Sequence, residues 1–360
     1  MRIKDLFEIN KAITTSREFF DDNKGIPCVH YGDIYRFYNE KTILSSNILN
    51  KFTLNLDKLK TINQDSIIMP DVTETITDFG HLTYIKYDNT QYINGTHTLA
   101  ILNNKNNNLK YLFYYLQSSK IKKQLQTLLL GSTVFQISKK DLENFELQSI
   151  HNENEQRHIV DIIGSLDDKI ENNNKIIEKL WQKLQLVHTD FKSKNELVEK
   201  NILELADIKY GKGIPTSEIL KDGLYSVYGS NGIIGYLNNY TFKEHKIAIS
   251  CRGNSSGIIH LTDENSTVTS NSLVLDFKNF DYTYYFFLEF MYKGLYEYKT
   301  GSAQPQITID NLKILNLQVP KNINDYIKNI NDSVEYTFCL KKENQKLLLL
   351  KQFYLKKFFG

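Results

Sequence analysis

Cysteine is scarce in this sequence: Cys28, Cys251 and Cys339 are the three cysteines among 360 residues. They lie far apart without a CxxC pair, so the sequence predicts neither a zinc module nor a disulfide framework. No apolar run approaches the roughly 20 residues that span a bilayer, and residues 1–5 lack the apolar core of a signal peptide. We therefore expect a soluble protein of the reducing cytoplasm, without membrane contact.

Proline is also scarce, with five residues and no adjacent pair. This excludes the Asx-Pro-Pro-aromatic loop with which an adenine methyltransferase grips a flipped base. A GxxxxGK[ST] phosphate loop is missing, since Gly211-Lys212-Gly213 lacks the hydroxyl and the glycine spacing. Pro70-Asp71 is not followed by the acidic-x-Lys triplet with which a nuclease holds Mg²⁺. The sequence predicts no catalytic site, no metal site and no bound cofactor.

Excess charge of either sign is lacking as well. The 44 basic and 42 acidic residues give a formal net charge of +2. Any nucleic-acid binding must therefore come from local patches and not from a polycationic tail. The hydrophobic content of 41% is sufficient for two globular cores.

The most informative feature that is present is an internal repeat. Gly131-Ser132-Thr133-Val134-Phe135-Gln136-Ile137 returns as Gly301-Ser302-Ala303-Gln304-Pro305-Gln306-Ile307, an offset of 170 residues from Gly131 to Gly301. The beginnings of the two copies also resemble each other, although more weakly: Leu6-Phe7-Glu8-Ile9 resembles Leu205-Ala206-Asp207-Ile208. A repeat of this length predicts a molecule made of two pseudo-symmetric copies.

Each copy places strand-like apolar runs before a helix and the Gly-Ser element, which predicts an α+β fold with two mixed α/β domains at residues 1–150 and 201–320. The dense aromatic residues at 111–115 and 284–287 are predicted to lie in the cores. The predicted strands are 26–29, 66–69, 97–102, 202–208, 224–228, 246–250 and 266–277, and the predicted domain helices are 109–130 and 282–298.

Residues 151–200 and 321–360 predict two long spacer helices. In the first, apolar residues alternate by four and three positions, with one interruption at Asn173, which is typical of a coiled-coil seam. An amphipathic helix of this kind commonly packs on its own domain, but the sustained heptads and their repetition favour an antiparallel coiled coil between the two helices. The predicted seam residues are Ile159, Ile163, Leu166, Ile170, Ile177, Leu180, Leu184 and Val187.

This order of domain, Gly-Ser element and amphipathic helix, repeated once, resembles the specificity (S) subunit of Type I restriction-modification enzymes across essentially the whole chain. Segments 228–236 and 249–257 resemble turns of its target recognition domains, whereas the first domain retains only 31–34 and 67–70. The resemblance implies that each domain recognises one half of a bipartite asymmetric target in double-stranded DNA. It also implies that the coiled coil docks two DNA adenine methyltransferase (M) subunits, with restriction (R) subunits as further partners. S-adenosylmethionine, ATP and Mg²⁺ are then expected on those partner subunits.

Loops of both domains contain candidate DNA-binding residues. Arg252 can address guanine and Asn254 adenine in the major groove, and the serines and glutamines of the Gly-Ser elements can approach phosphate. For each of these loops a plain surface turn stays an open alternative. The candidates are Arg17, Tyr31, Arg36, Ser132, Gln136, Ser230, Asn231, Arg252, Asn254, Ser302 and Gln306.

The sequence favours a non-catalytic DNA-recognition subunit over two other classes. A stand-alone modification enzyme or nuclease is disfavoured by the missing motifs. Detection of methyl transfer by the purified chain would support this class instead. A scaffold, in which the coiled coil joins two protein-binding domains, would show no sequence-specific DNA binding even with M subunits present.

Overall fold

The chain divides into two compact units: unit 1 comprises Met1–Asn172 and Glu343–Gly360, and unit 2 comprises Asn173–Lys342. The computed structural model describes residues 1–21, 24–54, 59–103, 107–221, 223–301, 304–321 and 323–360. Each unit contains both helices and sheets, so the predicted α+β class is confirmed. The division into recognition domains and spacer helices stays a prediction.

Unit 1 is built on a five-stranded sheet, in which Ser66–Pro70 and Thr98–Asn103 pair antiparallel with Ile68 opposite Ala100. These two strands are buried on both faces and therefore lack the alternation of a half-exposed strand. The strand order is Phe7–Lys11, Thr98–Asn103, Ser66–Pro70, Thr83–Lys86 and Thr42–Leu44. Two smaller sheets contain Phe20–Asp21, Lys51–Phe52, Ile26–Val29 and Ile93–Asn94, and Phe135–Gln136 with Val72–Thr73. The helices that precede residue 150 are Ile3–Leu6, Tyr31–Asp33, Ile34–Tyr38, Leu109–Gln117, Ser119–Gln126 and Lys139–Asn144.

The aromatic helix of unit 1 is shorter than predicted. It ends at Gln117, and a second helix starts at Ser119, so the prediction of a single helix over 109–130 was wrong. Ser118 has an extended backbone, and its hydroxyl accepts a hydrogen bond from the amide of Ile121 as an N-cap. The aromatic residues at 111 and 113–115 are buried, as predicted.

The main sheet of unit 2 has four strands, which repeat the order of the first four strands of the unit 1 sheet. This sheet runs Ala206–Tyr210, Ser272–Phe277, Ile247–Ser250 and Ile259–Leu261. A three-stranded sheet contains Gly232–Leu237, Tyr225–Gly229 and Thr267–Val268, and Leu197–Asn201 pairs with Asn316–Pro320. The helices of its domain are Ile202–Leu205, Asp281–Lys293 and Ile309–Lys313. The aromatic residues at 284–287 are buried in the core, as predicted.

Two predicted strands of unit 2 were wrong in part. Residues 202–205 of the predicted strand 202–208 form a helix, because Asn201 caps the amide of Leu203 and exchanges hydrogen bonds with Glu204. The predicted strand 266–277 is divided into Thr267–Val268 and Ser272–Phe277.

Equivalent hydrogen bonds in the two units confirm the internal repeat. Tyr115 donates through its hydroxyl to the carbonyl of Gln148 at 3.1 Å. In unit 2, the Tyr285 hydroxyl donates to the carbonyl of Gln318 at 3.3 Å, at the same offset of 170 residues. The sequence repeat therefore corresponds to one fold built twice.

Two long helices, the central helix Glu153–Lys194 and the C-terminal helix Asn324–Phe359, pass through both units. In unit 1, the ammonium of Lys351 lies 2.8 Å from Asp167, and Lys169 lies 3.6 Å from Glu343. In unit 2, the Phe191 ring lies 4.4 Å from the ring of Tyr326, and Lys341 lies 5.9 Å from the ring of Trp181. Higher numbers on one helix meet lower numbers on the other, so the helices are antiparallel in each unit.

The predicted seam residues lie on the less exposed face of the central helix. Ile159 and Ile163 share the core of unit 1 with Tyr111, Leu355 and Phe359. Leu184 belongs to the core of unit 2. The central helix therefore packs both on the C-terminal helix and on the domain of each unit. Half-buried seam positions are Leu166, Ile170, Ile177, Leu180 and Val187.

Candidate nucleic-acid interface

Two loops of unit 2 that contain candidate residues lie against each other. The Ser255 hydroxyl donates to the side-chain carbonyl of Asn231 at 2.5 Å. The Ser250 hydroxyl donates to the carbonyl of Ser230, whose own hydroxyl donates to the carbonyl of Asn271 at 3.3 Å. These bonds join the turn at 230–231 to the loop at 251–257, so residues 20 or more positions apart form one surface.

The backbone that flanks the second Gly-Ser element is paired beside that surface. Thr300 and Gln306 exchange backbone hydrogen bonds of 2.8 and 2.9 Å. Gly301 has φ +87°, and a Cβ there would lie 2.8 Å from the carbonyl oxygen of Gln304, so the turn requires glycine. The amide of Gly253 donates to the carbonyl of Pro305 at 2.9 Å, which places the hairpin next to Arg252.

The side chains that this surface exposes are polar. Arg252, Asn254 and Gln306 are exposed, and Ser230 is half-buried. Within the described ranges, the guanidinium of Arg252 has no hydrogen-bond or ion-pair partner. An unpaired guanidinium beside amide groups is suited to nucleobase edges or phosphate.

The first Gly-Ser element has the same geometry in unit 1. Leu130 and Gln136 exchange backbone hydrogen bonds of 3.0 and 2.8 Å. Gly131 has φ +130°, and a Cβ there would lie 2.1 Å from the carbonyl oxygen of Val134. Ser132 and Gln136 are exposed on this hairpin. Both glycines therefore serve as turn residues, and contact of their hairpins with phosphate stays a prediction.

A chain of side-chain contacts connects Tyr31 to this hairpin. The ring of Tyr31 lies 5.6 Å from the ring of His97, and Nδ1 of His97 lies 3.5 Å from Oδ1 of Asp71. The Gln136 amide donates to the other oxygen of Asp71 at 3.3 Å. Two predicted residues, Tyr31 and Gln136, are thus brought into one surface by His97 and Asp71. Sequence reasoning missed these two intermediates, since no spacing signal joins them.

Arg36, the other candidate of unit 1, is exposed at the edge of a polar cavity of about 260 Å³. Asp33 accepts hydrogen bonds from the His30 amide at 3.0 Å and from the Asn50 side chain at 2.8 Å. The other lining residues are Phe20, His30, Gly32, Asp33 and Asn50. The cavity is therefore lined by one basic side chain, Arg36, and one acidic side chain, Asp33.

Two candidates cannot be placed. Arg17 belongs to the helical turn Arg17–Phe19, but its side chain lies outside the described part of the chain. Ser302 also lies outside the described residues.

Two thiols and one histidine next to these loops have shifted pKa values. Burial raises the pKa of the Cys251 thiol against the opposing charge of Arg252, and burial raises the pKa of the Cys28 thiol to about 12. Both thiols are therefore protonated at neutral pH and poor nucleophiles. Burial lowers the pKa of His260, which keeps its ring neutral.

Within the described ranges, no group of three or more His, Cys, Asp or Glu side chains is arranged to hold a metal ion. Over the same ranges, no helix is long and apolar enough to cross a membrane.

One fold built twice, each time with a glycine turn beside exposed polar side chains, defines a class of proteins made of two tandem copies of one domain. The chain belongs to the family described as Type I restriction modification DNA specificity domain, whose model matches residues 1–182 and 194–349. The predicted family is therefore confirmed.

Relatives and a solved structure agree with this assignment. A protein described as a type I specificity subunit of Mycoplasma genitalium is 25% identical over 289 residues, which cover 73% of each chain. A second, from Mycoplasma pneumoniae, is 25% identical over 198 residues, 50% of this chain and 52% of the relative. The crystal structure of a Type I restriction-modification S subunit from M. genitalium has a TM-score of 0.59 at 18% identity. It covers 100% of this chain and 95% of its own, and the likeness shows that the fold is shared.

Proposed function

We propose that this chain is the non-catalytic DNA-recognition subunit of a Type I restriction-modification complex. Unit 1 and unit 2 each recognise one half of a bipartite, asymmetric target in double-stranded DNA, with a gap of unspecified bases between the halves. The observation that supports this most strongly is the exposed pair Arg252 and Asn254 on one loop of unit 2, with the Gly-Ser hairpin on the neighbouring backbone. Guanidinium and amide groups are those that distinguish guanine and adenine in the major groove.

The two kinds of element in each unit have different tasks in this proposal. The loops contact base edges and determine the sequence, whereas the Gly-Ser hairpins contact phosphates and fix the position of the protein. The hairpins are suited to this task because Gln136 and Gln306 are exposed beside glycines, which have no side chain to obstruct a phosphate.

The long helices dock two DNA adenine methyltransferase subunits, and restriction subunits complete the complex in the cytoplasm. S-adenosylmethionine, ATP and Mg²⁺ bind those partners. In support, the C-terminal helix leaves large apolar side chains in solvent within unit 1: Leu349 is 56% and Phe353 is 60% exposed. Exposed apolar residues that cluster on one helix indicate a protein partner.

Replacing Arg252 by alanine is expected to relax recognition at one guanine of a single half-site. Loss of a bidentate contact corresponds to about 1 to 3 kcal/mol, or roughly a 5- to 150-fold lower preference for the correct base. The measurement is the affinity of the full chain, assembled with methyltransferase subunits, for duplexes that carry single base changes.

The matched control is Arg157→Ala, because Arg157 is an exposed arginine of the central helix that pairs only with Glu153 in the described structure. This control variant should leave the preference for the correct base unchanged at every position of the target. If Arg252→Ala retains the full preference at every position, the loop of unit 2 does not recognise bases. Methyl transfer by the chain without partners would instead identify an enzyme, and absence of any preference in the wild-type complex would identify a scaffold.

A further inference from the structure

Unit 2 has an open groove of about 500 Å³ along the edge strand Ala206–Tyr210. Four lysines and two carboxylates line it, together with the exposed ring of Tyr210. The lysines are Lys209, Lys212, Lys243 and Lys246, and the carboxylates are Glu244 and Asp276.

The carboxylates of the groove neutralise two of the four lysines. Asp276 binds Lys209 and Lys246, each at 2.8 Å, and Lys246 also lies 3.3 Å from Glu244. Burial would raise the pKa of Asp276, but the hydrogen bonds from both lysines outweigh it and lower that pKa. The acid therefore stays ionised and occupied by this pair.

The other two lysines, Lys212 and Lys243, are exposed, and within the portion of the chain that the structure describes their ammonium groups have no acidic partner. Hydrogen bonds to neighbouring segments fix the backbone at both positions. The amide of Lys212 donates to Val268 at 2.7 Å, and the carbonyl of Lys243 accepts from Asn265 at 2.9 Å. Two unneutralised lysines therefore line the groove.

The segment that holds these lysines continues into the loop surface of unit 2. The amide of Ser270 donates to the carbonyl of Lys212 at 3.0 Å. The next residue, Asn271, accepts hydrogen bonds from Ser230 at 3.3 Å and from the amide of Cys251 at 3.0 Å. The groove and the loops that contain Arg252 therefore adjoin.

Unit 1 has a groove at the corresponding edge of its own sheet. It has a volume of about 230 Å³ and is lined by Lys11 and Lys60, with Glu8 as its acidic residue. Lys11 belongs to the edge strand Phe7–Lys11, which corresponds to Ala206–Tyr210 in the repeat. A cationic edge groove therefore occurs in both copies.

We propose that the groove of unit 2 binds the phosphate backbone of duplex DNA beside the half-site, with Lys212 and Lys243 each contacting one phosphate. This inference rests on the proposed function and adds to it a set of contacts that position the DNA without selecting its sequence. The charge of the groove is complementary to the continuous negative charge of DNA.

The test is the double variant Lys212→Gln/Lys243→Gln in the full chain, assembled with methyltransferase subunits. Each lost phosphate contact makes the slope of log affinity against log salt concentration shallower by about 0.9, so we expect a change of about 1.8. Affinity at low salt should fall by the same factor for the target and for unrelated duplexes, so their ratio stays constant. Lys212→Arg/Lys243→Arg should retain the original slope.

The control is Lys200→Gln/Lys313→Gln, which removes the same charge from exposed positions of unit 2 that do not line the groove. An unchanged slope in the groove variant, with target preference intact in the wild type, overturns the inference and leaves the proposed function standing. Weaker assembly with unchanged DNA binding also overturns it, since the groove would then hold an acidic segment of a partner. Absence of target preference in the wild type would overturn the proposed function itself.

Discussion

Replacement of His188 by alanine is expected to lower the free energy of unfolding of unit 2 by about 3 kcal/mol, because a buried hydrogen-bonded side chain is lost. His188 is 1% exposed and lies on the central helix. Its Nε2 lies 3.0 Å from the carboxylate of Glu289, and its Nδ1 lies 2.9 Å from the hydroxyl of Tyr326. One ring thus connects the central helix, the aromatic helix and the C-terminal helix within unit 2.

The ionisation of Glu289 explains the size of this effect. The hydrogen bond from His188 holds the pKa of Glu289 at about 2, against the opposing effect of burial and with help from Lys192. Since the carboxylate only accepts, Nε2 of His188 must donate to it. Without the ring, Glu289 would retain only its lysines, and the Tyr326 hydroxyl would lose its partner. The stabilisation from Glu289 is present above its unfolded pKa near 4.5 and is lost as pH falls through about 2.

The difference in the free energy of unfolding between the His188 variant and the wild type is measured by urea unfolding at pH 7, followed by hydrogen exchange of the amides in unit 2. The matched control is His158→Ala, because His158 is an exposed histidine of the same helix, and it should change stability by less than about 0.5 kcal/mol. Equal stability of the His188 variant and the control would contradict the role of this cluster.

Lys110→Met is expected to stabilise unit 1 at pH 7 by about 2 to 3 kcal/mol, since a lowered lysine pKa is a cost of about 1.4 kcal/mol per unit. Burial, with a smaller contribution from the charge of Lys351, lowers the pKa of Lys110 to about 8. Its ammonium lies 4.3 Å from the ring centre of Tyr84 and 4.9 Å from that of Phe113. Methionine can fill this aromatic site without a charge.

The pH dependence separates this effect from simple repacking. Below pH 8, Lys110 is protonated in both the folded and unfolded states, so the full cost is present. Between pH 8 and about 10.5 the folded state loses its proton first, and the advantage of Lys110→Met should fall to less than half by pH 9.5. Unfolding free energies at pH 7 and 9.5 test this, with the exposed Lys120→Met as control. An advantage that does not change with pH would point to packing alone.

Local patterns predicted those parts of the molecule that depend on neighbours in sequence. The heptad spacing predicted the central helix, since period and burial agree at Ile159, Ile163 and Leu184. For the repeated glycines the sequence left a turn open as an alternative to phosphate contact, and both Gly131 and Gly301 have positive φ with a backbone carbonyl in the place of a Cβ. These features follow from helix periodicity and backbone sterics.

Other parts depend on contacts between distant segments and were not predictable from spacing. His97 and Asp71 join Tyr31 to Gln136 only because four separate segments of unit 1 meet, with Asp71 and His97 next to the ends of the paired strands Ser66–Pro70 and Thr98–Asn103. The neutralisation of Lys209 and Lys246 by Asp276 likewise depends on strand pairing and not on sequence distance. At 202–205 an apolar run that fits a strand forms a helix, because the Asn201 cap decides the local structure.

The central claim is tested most directly by mapping methylated adenines in cells that contain this chain and its methyltransferase. Two forms of the chain are compared: the native form, and a variant with one heptad inserted after Asn172 and another after Lys342. The native complex should methylate a motif of two unlike blocks at a fixed separation. The insertion should lengthen the gap and leave both blocks unchanged. A single continuous motif, or a gap that does not change with the insertion, would contradict the proposal that two recognition units joined by long helices define the target.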